Sequence, residues 1–123
     1  MPVRSLRSSI LRWPRAEAVA HAVRRWAAEV GKCRGDVLRI GYMGSYARGD
    51  SGVGSDVDLV VVVSRSDQPF GQRATGFDTT SLPVPADVFV YTEEEWHRLS
   101  GRLERVLQHE TVWVYRAAGK TEP

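Results

Sequence analysis

The sequence predicts an α/β or α+β fold, a small sheet with helices packed on it. Three observations carry that prediction. AEAVAHAVRRWAAEV at 16–30 has helical apolar spacing, DLVVVV at 58–63 is a continuous apolar run, and PADVFVYTEEEW at 85–96 passes from a strand pattern into a helix start.

In the first segment Val19, Val23, Trp26, Ala27 and Val30 fall on one helical face, with Pro14 ahead and Gly31 behind as start and stop marks. Val37 to Met43 alternates like a strand until Gly44 ends it, and SYARGD fits a short turn and helix. The valine run reads as a strand covered on both faces, central in the sheet. Residues 64–81 carry Pro69, Gly71 and Gly76 without periodicity, which predicts a loop or at most a short helical turn. Ala86 to Tyr91 is the next strand. Thr92 and Glu95 then form a T-x-x-E capping box, opening a second long helix with Trp96, Leu99, Leu103, Val106 and Leu107 as its stripe. TVWVY at 111–115 supplies a last strand.

With 123 residues the chain is expected to form one domain, flanked by a basic segment at 1–14 and a tail at 116–123. It has no apolar run of the roughly 20 residues that a membrane helix needs and no signal-peptide core, so a cytoplasmic protein is expected. Cys33, the only cysteine, rules out an intrachain disulfide and a thiolate-rich zinc site. Arg4, Arg7, Arg12, Arg15, Arg24 and Arg25 face a single Glu17 in the first 25 residues, a bias that could attract nucleic acid or could simply be solvated. His21, His97 and His109 lack ligand spacing, and Trp13, Trp26, Trp96 and Trp113 read as core residues.

The chemistry concentrates in GSYARGDSGVGSDVDLVVVV, residues 44–63. Asp56 and Asp58 are two apart at the mouth of a strand, so their carboxylates share a face. Two anions held that close repel unless a cation neutralises them, and oxygen-only ligands favour Mg²⁺ or Mn²⁺ over zinc. Two such ions can bracket the attacking and leaving oxygens of a phosphoryl displacement. Gly44 and Ser45 stand where free amides and a hydroxyl can cradle phosphate oxygens. Arg48, one helical turn on, could add charge to that pocket, the alternatives being a helix cap for Ser45 and a solvated arginine.

Gly44-Ser45, ten residues, then Asp56-Val57-Asp58 resembles the signature of DNA polymerase β-type nucleotidyltransferases. The fuller run of Gly44, Ser45, Ala47, Arg48 and Gly49 followed by Ser55, Asp56, Asp58, Leu59 and Val61 resembles the minimal nucleotidyltransferase branch. That resemblance implies a polymerase β-like fold, a mixed sheet packed with helices. It implies transfer of NMP from ATP or another NTP to an acceptor hydroxyl, with two Mg²⁺ ions and release of pyrophosphate. Asp56 and Asp58 would bind metal, and Gly44, Ser45, Arg48 and Ser55 the nucleotide. A third carboxylate on a following strand would bind metal and act as base. Asp87 stands there, Asp78 in GFDTT is the competitor, and Asp36 and Asp67 lie outside the expected pocket. One departure is that this branch usually carries a helix between its second and third strands, where this chain has a segment rich in Pro, Gly and Ser.

Minimal nucleotidyltransferases resemble the antitoxin halves of two-component systems with a HEPN-domain partner, known members AMPylating that partner. A protein acceptor is therefore expected, since the roughly 30 residues after the third strand leave little room for a small-molecule acceptor domain. The rivals are an antitoxin-like module acting by occlusion, and a nucleotidyltransferase acting on a small molecule or nucleic acid. Gly49-Asp50-Ser51-Gly52 resembles a protease nucleophile motif, but a double β-barrel would not fit the chain. Neither a Walker A loop nor G-x-G-x-x-G is present.

Overall fold

A computed structural model describes residues 15–49, 55–99 and 109–117. The chain runs α1 (Ala16–Cys33), β1 (Val37–Met43), α2 (Ser45–Arg48), β2 (Val57–Val63), α3 (Phe70–Arg73), a 3₁₀ turn (Ala74–Gly76), β3 (Ala86–Thr92), α4 (Glu93–Arg98) and β4 (Val112–Arg116). The four strands form one mixed sheet in the order β3-β2-β1-β4. β1 is antiparallel to both β2 and β4, whereas β2 and β3 are parallel.

The valine run explains why β2 is interior. Val57, Leu59, Val61 and Val63 point into a core shared with Val19, Val23, Trp26 and Ala27 of α1, and all four strand residues are essentially inaccessible. Val60 and Val62 point the other way, against Trp96 of α4, with Met43, Tyr91 and Trp113 beside them. Each fully buried valine or leucine contributes about 1.5–3 kcal/mol relative to exposure, so alternation on both faces fixes strand position and register together. Arg39 lies over the Trp113 ring at 4.9 Å and closes the second face.

Several boundaries differ from the sequence expectation for physical reasons. The first helix continues past Gly31 to Cys33. Gly31 is a contact point, since a Cβ there would collide with the Tyr115 ring of β4. Arg116, assigned by sequence to the tail, pairs with Arg39 and ends β4, and the Ala117 N–H donates to the Leu38 carbonyl at 2.9 Å.

The capping box forms as expected. The Thr92 hydroxyl accepts from the Glu95 N–H at 3.1 Å and the Glu95 carboxylate accepts from the Thr92 N–H at 2.9 Å. The helix it opens is short, however, because the backbone turns extended at Leu99 (φ −61°, ψ 123°). Leu103, Val106 and Leu107 lie outside the described residues, as do the basic segment 1–14 and Trp13.

The 64–81 segment holds two short helical turns. Arg73, 8% exposed, ties it down by donating to the Gln68 carbonyl at 2.9 Å, the Val90 carbonyl at 3.0 Å and both oxygens of Glu95 at 2.7 and 3.0 Å. The bonds to Val90 and Glu95 anchor the segment to the far end of β3 and the start of α4. No helix among the described residues is long and apolar enough to cross a membrane.

Candidate functional site

The site is built where β1 ends and β2 and β3 begin. Met43, the last residue of β1, is the partner of Asp58, and Gly44 follows at φ +79°, ψ −148°, a backbone state open to glycine. The same glycine leaves space that Asp58 uses. A Cβ on Gly44 would sit 2.5 Å from Asp58 Oδ2, so the carboxylate lies directly against the turn that begins the Gly-Ser motif. Ser45 then opens α2, which closes on Gly49 at φ +85°.

Asp58 is half-buried in β2, and its parallel-ladder partner is Asp87 of β3. Register partners in a parallel pair present side chains to the same face, so the two acids stand side by side on the Val60–Val62 side of the sheet. Asp56, one residue before β2, has the same parity and is exposed. Burial first, then the negative charges of Asp87 and Asp56, push the Asp58 carboxyl above its ordinary value, while Arg48 pulls it the other way. Asp58 therefore senses both other acids and one arginine.

The competitor for the third position falls elsewhere. Asp78 is exposed and accepts from the Thr80 N–H at 2.9 Å and the Thr80 hydroxyl at 2.7 Å, bonds that lower its carboxyl. Its carbonyl accepts from the Trp26 indole at 2.8 Å, making it a turn residue on the α1 side. Asp36 is paired with Arg34 at 2.9 Å at the opposite end of the sheet.

Arg48 reaches Glu110 Oε1 at 3.5 Å, just ahead of β4. Ser55 is half-buried, and its carbonyl accepts from the Tyr46 hydroxyl at 3.2 Å. Neither Tyr46 nor Glu110 stood out in the sequence. The one available signal for Tyr46 was general, that a buried tyrosine hydroxyl needs a partner. The residues between Gly49 and Ser55 lie outside the described residues.

Among the described residues, no three His, Cys, Asp or Glu side chains are gathered closely enough to hold a metal ion unaided. The arrangement fits a hard divalent cation in a different way. Mg²⁺ commonly takes one or two carboxylates and completes its shell with water and substrate phosphates. A half-buried carboxylate destabilised by two acidic neighbours, seated on a glycine turn, suits that mode of binding. The three histidines are exposed, and His97 is 3.8 Å from Glu93 within its own helix.

A family model described as a nucleotidyltransferase domain matches residues 24–114, a span that contains every described acid and glycine of the site. A Sulfolobus solfataricus protein named as a candidate nucleotidyltransferase is similar in structure, with a TM-score of 0.62 at 19% identity over 82% of this chain and 83% of that one. A toxin-antitoxin structure with AMP-PNP is also similar, with a TM-score of 0.51 at 14% identity over 77% of this chain and 74% of that one. At those identities the two structures speak for the fold. A search of curated proteins finds no match.

Proposed function

The chain belongs to the nucleotidyltransferase domain family, and on that premise we propose that it transfers the NMP group of a nucleoside triphosphate, ATP foremost, to an acceptor hydroxyl. The observation that carries this reading is the register of Asp58 on Asp87, which holds two acids together at a glycine turn with Asp56 alongside.

In this reading Asp56, Asp58 and Asp87 hold Mg²⁺, or Mn²⁺ in its place. The ion supplies charge neutralisation for the phosphates and for the two oxygens that exchange at phosphorus. Gly44 and Ser45 steady the β and γ phosphates, and Ser55 borders the nucleotide. Arg48, already near enough to act on Asp58, adds positive charge. The acceptor oxygen attacks the α-phosphorus as the bond to the β-bridging oxygen breaks. Asp87, exposed at the mouth of the site, takes the hydroxyl proton, and pyrophosphate leaves.

A partner protein is the acceptor this reading favours, with a HEPN-domain protein as the specific candidate. The similarity to a toxin-antitoxin structure containing AMP-PNP supports a two-protein setting. A module acting by occlusion alone would have no use for a half-buried acid held against two others.

The test is transfer of label from α-labelled ATP to a candidate partner, with γ-labelled ATP as the negative control. An Asp56→Asn/Asp58→Asn protein should lose at least about a hundredfold of the rate, in line with removal of groups that stabilise transferring phosphate. Full transfer by that double variant would overturn the assignment.

A further inference from the structure

The three acids are not held alike. Asp58 and Asp87 are locked by the β2–β3 ladder, and Asp58 is also seated on Gly44. Asp56 precedes the ladder, whose first pair is Val57 with Ala86 and whose first bond there runs from the Val57 N–H to the Pro85 carbonyl at 3.0 Å. Among the described residues, a side chain from α2 reaches the backbone that delivers Asp56. Tyr46 lies in α2, 8% exposed and packed in the main core, and its hydroxyl donates to the carbonyl of Ser55, the residue directly before Asp56.

Resting on the metal-dependent reading above, we propose that Tyr46 is a positioning residue which, through the Ser55 carbonyl, sets Asp56 for the cation. Its ring is anchored by burial. The helical turn that carries it is closed by the Arg48 N–H on the Gly44 carbonyl at 3.0 Å and the Gly49 N–H on the Ser45 carbonyl at 2.9 Å. Tyr46 thus spans the motif from within. The turn carrying Gly44 and Ser45 and the strand entry carrying Asp56 are nine or more residues apart in sequence, and one buried side chain joins them. Removing the hydroxyl while keeping the ring would leave α2 packed and take away the bond from Tyr46 to the Ser55 carbonyl.

The experiment compares wild type, Tyr46→Phe and Trp26→Phe as full chains. Trp26→Phe removes another side-chain-to-backbone bond, the one to the Asp78 carbonyl on the α1 side, and controls for general loss of stability. Mn²⁺ is titrated, alone and with a non-hydrolysable ATP analogue present, and followed by electron paramagnetic resonance, melting is recorded without metal, and kinetics are measured with ATP at saturating metal. Tyr46→Phe should bind Mn²⁺ about tenfold more weakly, as expected when a group that orients a ligand is lost. Its KM for ATP at saturating metal should stay at the wild-type value. Trp26→Phe should melt lower with Mn²⁺ affinity unchanged. Wild-type Mn²⁺ affinity in Tyr46→Phe, or equal weakening in Trp26→Phe, would overturn the positioning role and leave the metal site standing. No Mn²⁺ binding by the unaltered protein, either alone or with the ATP analogue present, would overturn the metal reading itself, and this inference with it.

Discussion

The parallel strands β2 and β3 carry acids at both ends, and the two ends treat them in opposite ways. At the amino-terminal end Asp58 is raised by burial and by Asp87 and Asp56, and Arg48 only partly offsets them. Just past the carboxy-terminal end of β3, hydrogen bonds from Arg73, above all, hold Glu95 down at about 2, and the Thr92 N–H and hydroxyl add to the effect. Where the protein supplies the counter-charge itself, the acid belongs to the architecture. Where the counter-charge falls short of burial and repulsion, as Arg48 does at Asp58, the acid fits the proposed role of meeting a cation from outside. The comparison thus separates a structural carboxylate just beyond β3 from the acids proposed for the site at the other end of the same strand pair.

The sharpest way to break the structural end is Arg73→Ala. It leaves Glu95 without its partner and two carbonyls without donors. Breaking a fully buried pair costs about 3–5 kcal/mol. Glu95 keeps 37% side-chain exposure, so the expected loss in urea denaturation is roughly 2–3 kcal/mol. Metal binding per folded molecule should stay intact, and a loss of Mn²⁺ affinity matching that of an Asp58 variant would erase the distinction between the ends.

A smaller loss, about 1 kcal/mol, is expected for Thr92→Ala, which removes the side-chain half of the capping box but leaves the Arg73–Glu95 pair. Smallest is the pH effect, and its sign differs between ends. Glu95 is depressed when folded, so its contribution is present above its ordinary value of 4.5 and lost as pH falls toward about 2. Asp58 is raised when folded, so it favours the fold most below its ordinary 3.8 and least once pH rises through its elevated folded value. Asp58→Asn should therefore melt above wild type at neutral pH, with the gap closing in acid. A gap that widens on acidification would contradict the repulsion on which the site rests.

Much of this was legible in the sequence because it is local. The valine run gave both-face burial of β2, and the T-x-x-E pattern gave the cap at Thr92. Parity put Asp56 and Asp58 on one face, and the strand pattern of 86–91 favoured Asp87 over Asp78 before any register was known. What stayed hidden depends on distant partners. Gly31 reads as a helix stop until the Tyr115 ring arrives from β4. Arg73 sits in a segment without periodicity, and only its bonds to Val90 and Glu95 reveal why that segment is ordered against β3. Tyr46 is unremarked until the Ser55 carbonyl comes within reach of its hydroxyl. The parallel pairing of β2 with β3 is likewise a matter of topology that no single window of sequence encodes.

That pairing has a further consequence. Sliding β3 by a single residue along its neighbour would turn Asp87 toward the α1 layer and lift Val88 and Val90 out of it, an exchange that hydrocarbon burial forbids. The greasy interior therefore doubles as the ruler that aligns the acids. The crossover from β2 to β3 leaves from the opposite end of the strands, so its exposed turns can vary in length over evolutionary time. Phe77, Leu82 and Val84 in the core and Pro85 beside β2 stay bound to that alignment.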